Sequence, residues 1–359
     1  MVTEPPRHAR LAVLLAVALL SSGCTTIGYF AQAARGQIGV MRARQPIPAL
    51  LAAPDTPREL RTRLELVTEM RDFASRELGL PDNASYRSYA DLKRAYVVWN
   101  VVATPELSLE PRQWCFPVAG CVAYRGYFRE EAARAFAAIL AAQGDDVAVF
   151  GVAAYSTLGR FADPVLNTMT GYGTFELAGT IFHELAHQRL YVAGDSAFNE
   201  AFATTVEEAG LARYAASHGS QAALADWRRQ KERGRELNAA LAESRAELRA
   251  LYRSGLAPDS QRERKRELFD ALAARIRELE MLGGYRSGYH AYLDRSLNNA
   301  HLAAVATYRD KLPLFEHLLE QKGGDLTAFY AAADALAMER RAERRGPTRR
   351  FRGGPRPVP

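Results

Sequence analysis

The stretch that decides the fold reads His183-Glu184-Leu185-Ala186-His187. Two histidines four residues apart on an α-helix project from one face, one turn apart. Both imidazoles can then bind one zinc ion, and the glutamate between them can reach a water molecule at that ion. The stretch therefore predicts a helix that carries two metal ligands and a base, and it indicates a hydrolytic reaction.

A third protein ligand is expected, because zinc in hydrolases takes three and leaves one position for water. Glu200 is the predicted ligand, since the break between it and His187 allows one helix to end and a second to return beside it. Asp195 is a nearer alternative, but from the turn it would have to fold straight back onto its own helix. A third histidine six residues after the second is excluded, because Ala193 occupies that position.

The positions of two further glutamates in the sequence suggest roles for them. Glu184 is the predicted general base, which takes a proton from the attacking water and delivers it to the leaving amine. Glu207 follows Glu200 by seven residues, two turns along the same helical face. It could accept a hydrogen bond from the free ring N–H of His183 and fix its tautomer. The alternative is a solvated surface glutamate, since Glu208 is adjacent.

The composition is that of a soluble globular protein, with 359 residues, 48% hydrophobic and 25% charged. The net charge of +6 resides in residues 339–359, which contain eight arginines and two glutamates. Residues 24–338 sum to −1, so we expect no nucleic-acid partner. The segment 339–359 has almost no apolar residues and is predicted to be a disordered basic tail. Weak attraction to an anionic membrane is the alternative.

The N-terminus has the pattern of an export signal. Arg7 and Arg10 precede an unbroken apolar run at residues 11–20, which is too short for an ordinary transmembrane helix. Gly-Cys follows, and this ending is similar to a bacterial lipobox in which Cys24 is lipidated. Residues 1–23 are thus predicted to be a lipoprotein signal peptide, with ordinary cleavage or a retained anchor as alternatives. We expect an exported, lipid-anchored protein on the periplasmic face of the outer membrane.

Export leaves Cys115 and Cys121 in an oxidising compartment. A disulfide between them would close a small loop. Two buried free thiols are the alternative. A zinc site is not expected here, because nothing nearby supplies a second pair of ligands.

Periodicity predicts an α+β catalytic domain over residues 57–220, after a partly helical tether at 24–56. The predicted elements of this domain are the helices Pro57–Leu78, Glu130–Ala142, Phe175–Tyr191 and Ala197–Ala216, and strands within Ala95–Val102, Phe116–Tyr127 and Val147–Tyr155.

A helical domain is predicted over residues 221–338, where it would complete the cleft. Its first two segments, Gln221–Ser254 and Asp259–Leu282, are long and highly charged and favour an antiparallel helical hairpin. The last predicted helices are Asn298–Gln321 and Leu326–Arg341.

The two motifs around His183 and Glu200 resemble those of gluzincin metallopeptidases, which have a small mixed sheet and an active-site helix of the zincin type. Most of residues 24–340 is also similar to a bacterial family of predicted lipoprotein aminopeptidases. The stretches that carry this second resemblance are Pro117–Phe128, Ala154–Gly159 with Asp163-Pro164, and Leu297–Ala300. The resemblance implies one Zn²⁺ ion and a peptide substrate.

Substrate contacts are expected from three further residues. Val152–Leu158 could be an edge strand that pairs with an extended peptide, with Tyr155 lining the cleft or packed in the core. Asn298 and Asn299 are candidates for the cleft, with helix capping as the alternative. The candidates for an oxyanion donor are Tyr285, Tyr289, His290, Tyr292 and Tyr308, and those for a carboxylate that binds the substrate amine are Glu130, Glu131 and Glu208.

The sequence therefore favours a zinc-dependent peptidase, with an aminopeptidase preferred. Its first alternative is an endopeptidase that uses the same chemistry. The second is a periplasmic scaffold or chaperone that uses the long hairpin and contains a vestigial zinc site.

Overall fold

The computed structural model describes residues 28–116, 120–218, 221–293, 297–306 and 311–345. The helices are α1 (28–42), α2 (Ile47–Ala52), α3 (Arg58–Arg76), α4 (Glu130–Ala142), α5 (Thr174–Arg189), α6 (Ser196–Ser217), α7 (Gln221–Tyr252), α8 (Pro258–Gly283), α9 (Asn299–Ala306), α10 (Leu312–Gln321) and α11 (Leu326–Arg345). The strands are β1 (Arg44–Pro46), β2 (Ser88–Ala90), β3 (Val98–Pro105), β4 (Trp114–Phe116), β5 (Gly120–Val122), β6 (Arg125–Tyr127), β7 (Asp145–Val152) and β8 (Val165–Leu166).

The strands form small sheets, and the predicted α+β class is confirmed. One sheet has the order β1-β2-β8 and is mixed, since β2 pairs antiparallel with β1 and parallel with β8. The second has the order β6-β3-β7, in which β3 pairs antiparallel with both neighbours. The hairpin β4–β5 stands apart as a two-stranded ribbon. The predicted first strand begins and ends three residues later than expected, at Val98–Pro105.

Helices α5 and α6 are the centre of the fold. Each is apolar on most of its surface, which is the pattern of a helix buried on several sides. They approach closely at Gly179, where an added Cβ would lie 3.2 Å from Glu207 Oε1. At Gly210 an added Cβ would lie 2.9 Å from Phe182. The two glycines therefore let the helices lie close together, and this sets the separation of the polar side chains between them.

Helices α7 and α8 form the predicted helical hairpin. Apolar residues at helical spacing line its seam, among them Leu241, Leu248, Leu272 and Ile276. The charged residues lie outside this seam in pairs such as Arg275 with Glu278. The hairpin thus has an apolar seam of its own beside the main core.

The main core takes residues from nearly the whole described chain. It includes Val40 and Ile47 from the N-terminal segment, and Phe315 and Phe329 from α10 and α11. Residues before and after position 57, and before and after position 221, contribute to this core. The domain boundaries predicted at these two positions remain predictions. Helix α11 continues to Arg345, where Arg341 donates a hydrogen bond to the Tyr191 carbonyl.

Several sequence predictions lie outside the described residues. They include the signal peptide, the lipidation site Cys24 and the tail beyond residue 345. Among the residues that are described, no helix has the length and apolar composition needed to cross a bilayer.

Arg71 on α3 organises the loop that leads to β2. Its guanidinium is fully buried and donates to three backbone carbonyls, Ser85 at 2.8 Å, Pro81 at 2.7 Å and Asn83 at 3.1 Å. Arg71→Met should destabilise the fold by about 3 kcal/mol, because it leaves these acceptors without a donor. Urea unfolding would measure the change.

The control for this variant is Arg87→Met. Arg87 pairs with Asp72 and Asp82 near the surface, with 38% of its side chain exposed. Its loss should change the free energy of unfolding by about 1 kcal/mol or less. Equal effects of the two variants would contradict the role given to Arg71.

Candidate metal centre

The two histidines of the opening motif face each other across one turn of α5. Their Nε2 atoms are 3.2 Å apart, and their ring centroids are 4.8 Å apart. The helix buries Leu185 and Ala186 between them, so the imidazoles share the remaining polar face. Both rings thus present a nitrogen to one point.

Glu200 on α6 brings a carboxylate to the same point. Its Oε2 is 3.3 Å from His183 Nε2, and its Oε1 is 3.6 Å from His187 Nε2. Ligands 2.0–2.1 Å from a tetrahedral zinc ion are separated by about 3.3 Å. One ligand atom from each of the three residues lies within 4.8 Å of the others, so the group could hold a metal ion.

The connection between α5 and α6 fixes the position of Glu200. Asn199 is buried, accepts a hydrogen bond from the Val192 backbone N–H at 2.7 Å and donates to the Val192 carbonyl at 2.9 Å. Asp195 caps α6 by accepting from the Phe198 N–H. The same carboxylate binds Lys311 Nζ at 2.8 and 2.9 Å. Asp195, the nearer carboxylate in the sequence, is therefore occupied elsewhere.

Glu207 lies on the other side of His183. Its Oε2 is 3.2 Å from His183 Nδ1, and its Oε1 accepts from Lys231 Nζ on α7, also at 3.2 Å. A carboxylate at Nδ1 holds the proton on that nitrogen and leaves Nε2 free as a ligand. Glu207 is therefore positioned to fix the tautomer of His183.

The three side chains at the site have displaced pKa values when no metal is bound. Burial disfavours the charged form of His183, but hydrogen bonds with Glu200 and Glu207 outweigh it and raise its pKa to about 10. Burial and the charge of His183 lower the pKa of His187 to about 4. Burial alone would raise the pKa of Glu200, yet the contact with His183 lowers it. The metal-free site therefore holds one extra proton, on His183.

Glu184 lies beside the candidate ligand His183 on the wall of a cavity of about 300 Å³. Burial raises its pKa to about 7. The wall contains residues of α5, α6 and α7, namely Glu176, Thr180, His183, Glu184, Glu207, Trp227, Gln230, Lys231 and Gly234. A base in this position has room for a substrate next to it.

Sequence reasoning missed three tyrosines at the site. Burial and the charge of Glu200 raise the pKa of both Tyr124 and Tyr191. The ring of Tyr191 lies 6.5 Å from that of His187. Tyr86 is 2% exposed, and its hydroxyl has no hydrogen-bond partner among the described residues. Burial and the charge of Glu184 raise the pKa of Tyr86. The signal for Tyr191 was its position four residues after His187, one turn further along.

Three of the downstream candidates for an oxyanion donor have other partners. Tyr292 donates to the Val149 carbonyl, Tyr289 to the His301 carbonyl, and His290 contacts Glu280. Tyr285 packs under Arg233 of the hairpin, and Tyr308 lies outside the described residues.

The three predicted substrate contacts have structural partners. Tyr155 donates a hydrogen bond to Gln37 of α1, and residues 153–158 form no strand. Asn298 donates to the Val147 carbonyl at 3.0 Å. Asn299 donates to the Glu106 carbonyl at 2.9 Å. These bonds fasten the start of α9 to its neighbours, and the structure does not bring the two asparagines to the histidine pair.

Fold and site define an α+β protein with a candidate metal centre built on two adjacent helices. A family model with the description "Putative aminopeptidase" matches residues 28–347. The match covers most of the chain, which therefore belongs to this family. No curated protein and no solved structure matches the chain.

The protonation of His183 in the metal-free site leads to a testable prediction about the pH dependence of metal binding. Nε2 of His183 has to lose its proton before it can bind an ion, so Zn²⁺ binding at pH 7 should release at least one proton, and the partly protonated Glu184 should add a fraction of another. Affinity should rise by about tenfold per pH unit from pH 7 to pH 9, because His183 stays protonated until its pKa of about 10. Calorimetry in buffers of different ionisation enthalpy measures both quantities.

The matched control is His301→Gln. Burial lowers the pKa of His301 to about 4, so this residue is neutral at pH 7. Its replacement should leave the proton release unchanged. Metal binding without proton release in the unsubstituted protein would contradict the protonation state given to His183.

Proposed function

We propose that this protein is a zinc-dependent peptidase and that its preferred substrates have a free α-amine. His183, His187 and Glu200 would hold the ion, and Glu184 would be the general base. The observation that carries the proposal is the spacing of the donor atoms. The two Nε2 atoms are 3.2 Å apart, Glu200 Oε2 is 3.3 Å from that of His183, and Glu200 Oε1 is 3.6 Å from that of His187. One ligand atom from each residue lies within 4.8 Å of the others, which suits ligands that share one zinc ion.

Zinc is the metal that this donor set favours. Two neutral imidazoles and one carboxylate are ligands of borderline softness, and they leave a fourth position for water. When bound there, zinc lowers the pKa of its water to about 7 and polarises a substrate carbonyl. We also propose that the site is of the gluzincin type. The support is the spacing of the two motifs and the position of Glu200 on the helix that follows the two histidines.

The chain's own residues would transfer the protons and hold the His183 ring in its orientation. Glu184 takes the proton of the attacking water and delivers it to the amine that leaves. Glu207 holds the ring of His183 through Nδ1, and Lys231 holds Glu207 in turn. A peptide would reach this base through the cavity that Glu184 lines.

The preference for a free amine rests on the family description. The three glutamates proposed to bind the amine have basic partners instead. Glu130 pairs with Arg134, and Glu131 with Arg129, at the start of α4. The third, Glu208, pairs with Lys231. None of the three has a contact with the histidine pair, and the amine contact has to come from another group.

Export and lipidation at Cys24 are a further part of the proposal. The support is the signal-like sequence before Cys24 and the disulfide between Cys115 and Cys121, which suits an oxidising compartment. Labelling of cells with a radioactive fatty acid tests it. Incorporation should be lost in Cys24→Ala, and equal labelling of this variant would contradict lipidation at this residue.

The catalytic proposal predicts the behaviour of Glu184→Gln. This variant should bind zinc with unchanged stoichiometry but lose about 10³-fold in kcat, because the amide cannot accept the proton. Metal analysis and cleavage of an amino-acid anilide measure the two properties. Glu130→Gln is the control, since its carboxylate is partly exposed and pairs with Arg134, and it should keep full activity.

Two substrates separate the proposed aminopeptidase from an endopeptidase. The anilide should be cleaved, whereas an N-blocked peptide quenched across an internal bond should not. Cleavage of the blocked peptide alone would favour the endopeptidase. A protein whose biological activity is unchanged in Glu184→Gln would instead be a scaffold with a vestigial site.

A further inference from the structure

The cavity beside Glu184 extends along α5 towards the start of that helix. Glu176, Thr180 and Glu184 line it at intervals of four residues, so they lie on one face of α5. Because an α-helix rises 1.5 Å per residue, Glu176 lies about 10 Å along the axis from His183. The cavity therefore has one end at the proposed base and the other end about two turns away, at Glu176.

Glu176 is a carboxylate without a partner. It is exposed, and its side chain has no hydrogen bond or ion pair with any residue that the structure describes. The lysine of the cavity wall is already paired, because Lys231 Nζ lies 3.2 Å from Glu207 Oε1 and 3.3 Å from Glu208 Oε1. The far end of the cavity thus has a negative charge that no described residue neutralises.

Helix α7 supplies the opposite wall. Its lining residues recur at helical spacing and are Trp227, Gln230, Lys231 and Gly234. The indole of Trp227 is an aromatic surface against which a long aliphatic stem can pack. This wall therefore suits a side chain that is apolar along its length and charged at its end.

Gly234 keeps the cavity open. It lies within a helix of 32 residues, where glycine is less stable than alanine. A Cβ added to Gly234 would meet no described atom within 4 Å, so close packing does not account for the glycine. The space that it leaves belongs to the cavity, where a ligand can use it.

We propose that this cavity holds the side chain of the substrate residue whose carbonyl is attacked, and that its preferred occupant is lysine or arginine. The proposal rests on the peptidase function proposed above. It adds the class of substrate and the residue that recognises it, Glu176.

Length favours a basic side chain over the substrate's α-amine as the partner of Glu176. The α-amine is two bonds from the carbonyl carbon, a distance of about 2.5 Å, and cannot reach Glu176 when that carbonyl lies at the histidine pair. A lysine ammonium lies about 6 Å from its Cα, at the end of a four-carbon stem. A hydrogen bond of about 2.8 Å extends this reach to the required distance of about 10 Å.

Charge and volume agree with this assignment. Among the described residues that line the cavity, three are glutamates and one is a lysine, so an acidic side chain would be repelled. A volume of about 300 Å³ is at the small end of ligand pockets and suits one side chain. The favoured substrates are therefore peptides with lysine or arginine at the N-terminus.

Glu176→Gln tests the recognition of the charge. The measured quantity is the ratio of kcat/KM for lysine anilide to that for norleucine anilide, which lacks only the ammonium group. The ratio should exceed one in the unsubstituted protein and fall by about 10-fold in Glu176→Gln, as expected for a hydrogen bond between charged groups at a partly solvated site. Glu131→Gln is the control, because Glu131 is 76% exposed and pairs with Arg129 on α4, and it should keep the ratio.

Binding gives a second measurement that does not depend on cleavage. Calorimetry would compare lysine amide with norleucine amide in the zinc-loaded Glu184→Gln variant, which cannot hydrolyse them. Lysine amide should bind more tightly, and adding Glu176→Gln should weaken it by about 10-fold relative to norleucine amide.

The outcomes distinguish the two proposals. Cleavage of the anilides with no preference for lysine, or with a preference that survives in Glu176→Gln, would overturn the pocket and leave the peptidase intact. A preference for glutamate anilide would make Lys231 the anchor and also overturn it. If the zinc-loaded protein cleaves no anilide, the peptidase is overturned, and binding of lysine amide that depends on Glu176 would still support the pocket.

Gly234→Leu tests the volume, and Ala239→Leu is its control. Residue 239 is exposed on the same helix and does not line the cavity. Gly234→Leu should lower the ratio of kcat/KM for lysine anilide to that for alanine anilide by about 10-fold, because the new side chain occupies the space of the longer substrate. Its Tm should not fall, since leucine favours a helix more than glycine. Equal ratios in the two variants would contradict the pocket.

Discussion

The close approach of α5 and α6 is the constraint on which the rest of the structure depends. Gly179 and Gly210 leave no side chain where the helices meet, so two carboxylates of α6 reach one imidazole of α5 from opposite sides. A larger residue at either glycine would separate the helices, and the ligand atoms would diverge. The apolar surfaces that surround both helices hold this spacing, because the buried faces can pack in few other ways.

Charge balance follows from that spacing. Glu200 and Glu207 are mostly buried, and an ionised carboxylate removed from water needs a partner. His183 supplies the partner for both, and Lys231 reaches over from α7 to share Glu207. The hairpin of α7 and α8 is thereby part of the electrostatics of the site as well as a wall of the cavity. A divalent metal ion would replace the proton of His183 and add one positive charge, which ionised Glu184 can offset.

The sequence predicted the parts of the site that depend on local geometry. His183 and His187 follow from the helical period, and Glu200 and Glu207 follow from one turn and a second helix. The α+β class and the bounds of most long helices were also predictable, because their periodicity is strong. Within the predicted helix Asn298–Gln321 the structure instead describes two helices, α9 and α10. The contact of Gly120 with Gly194 was not predictable, since it joins residues that are far apart in the sequence. The prediction that Asn298 and Asn299 line the cleft failed for a different reason. The sequence does not distinguish a polar residue that anchors the start of a helix from one that lines a cleft.

The two hydrogen bonds between Asn199 and the Val192 backbone have a consequence for how the protein matures. The side-chain amide of Asn199, in the first turn of α6, binds the main chain of the connection three residues after the end of α5. Because these bonds involve only protein atoms, they can form as the chain folds, before any metal binds.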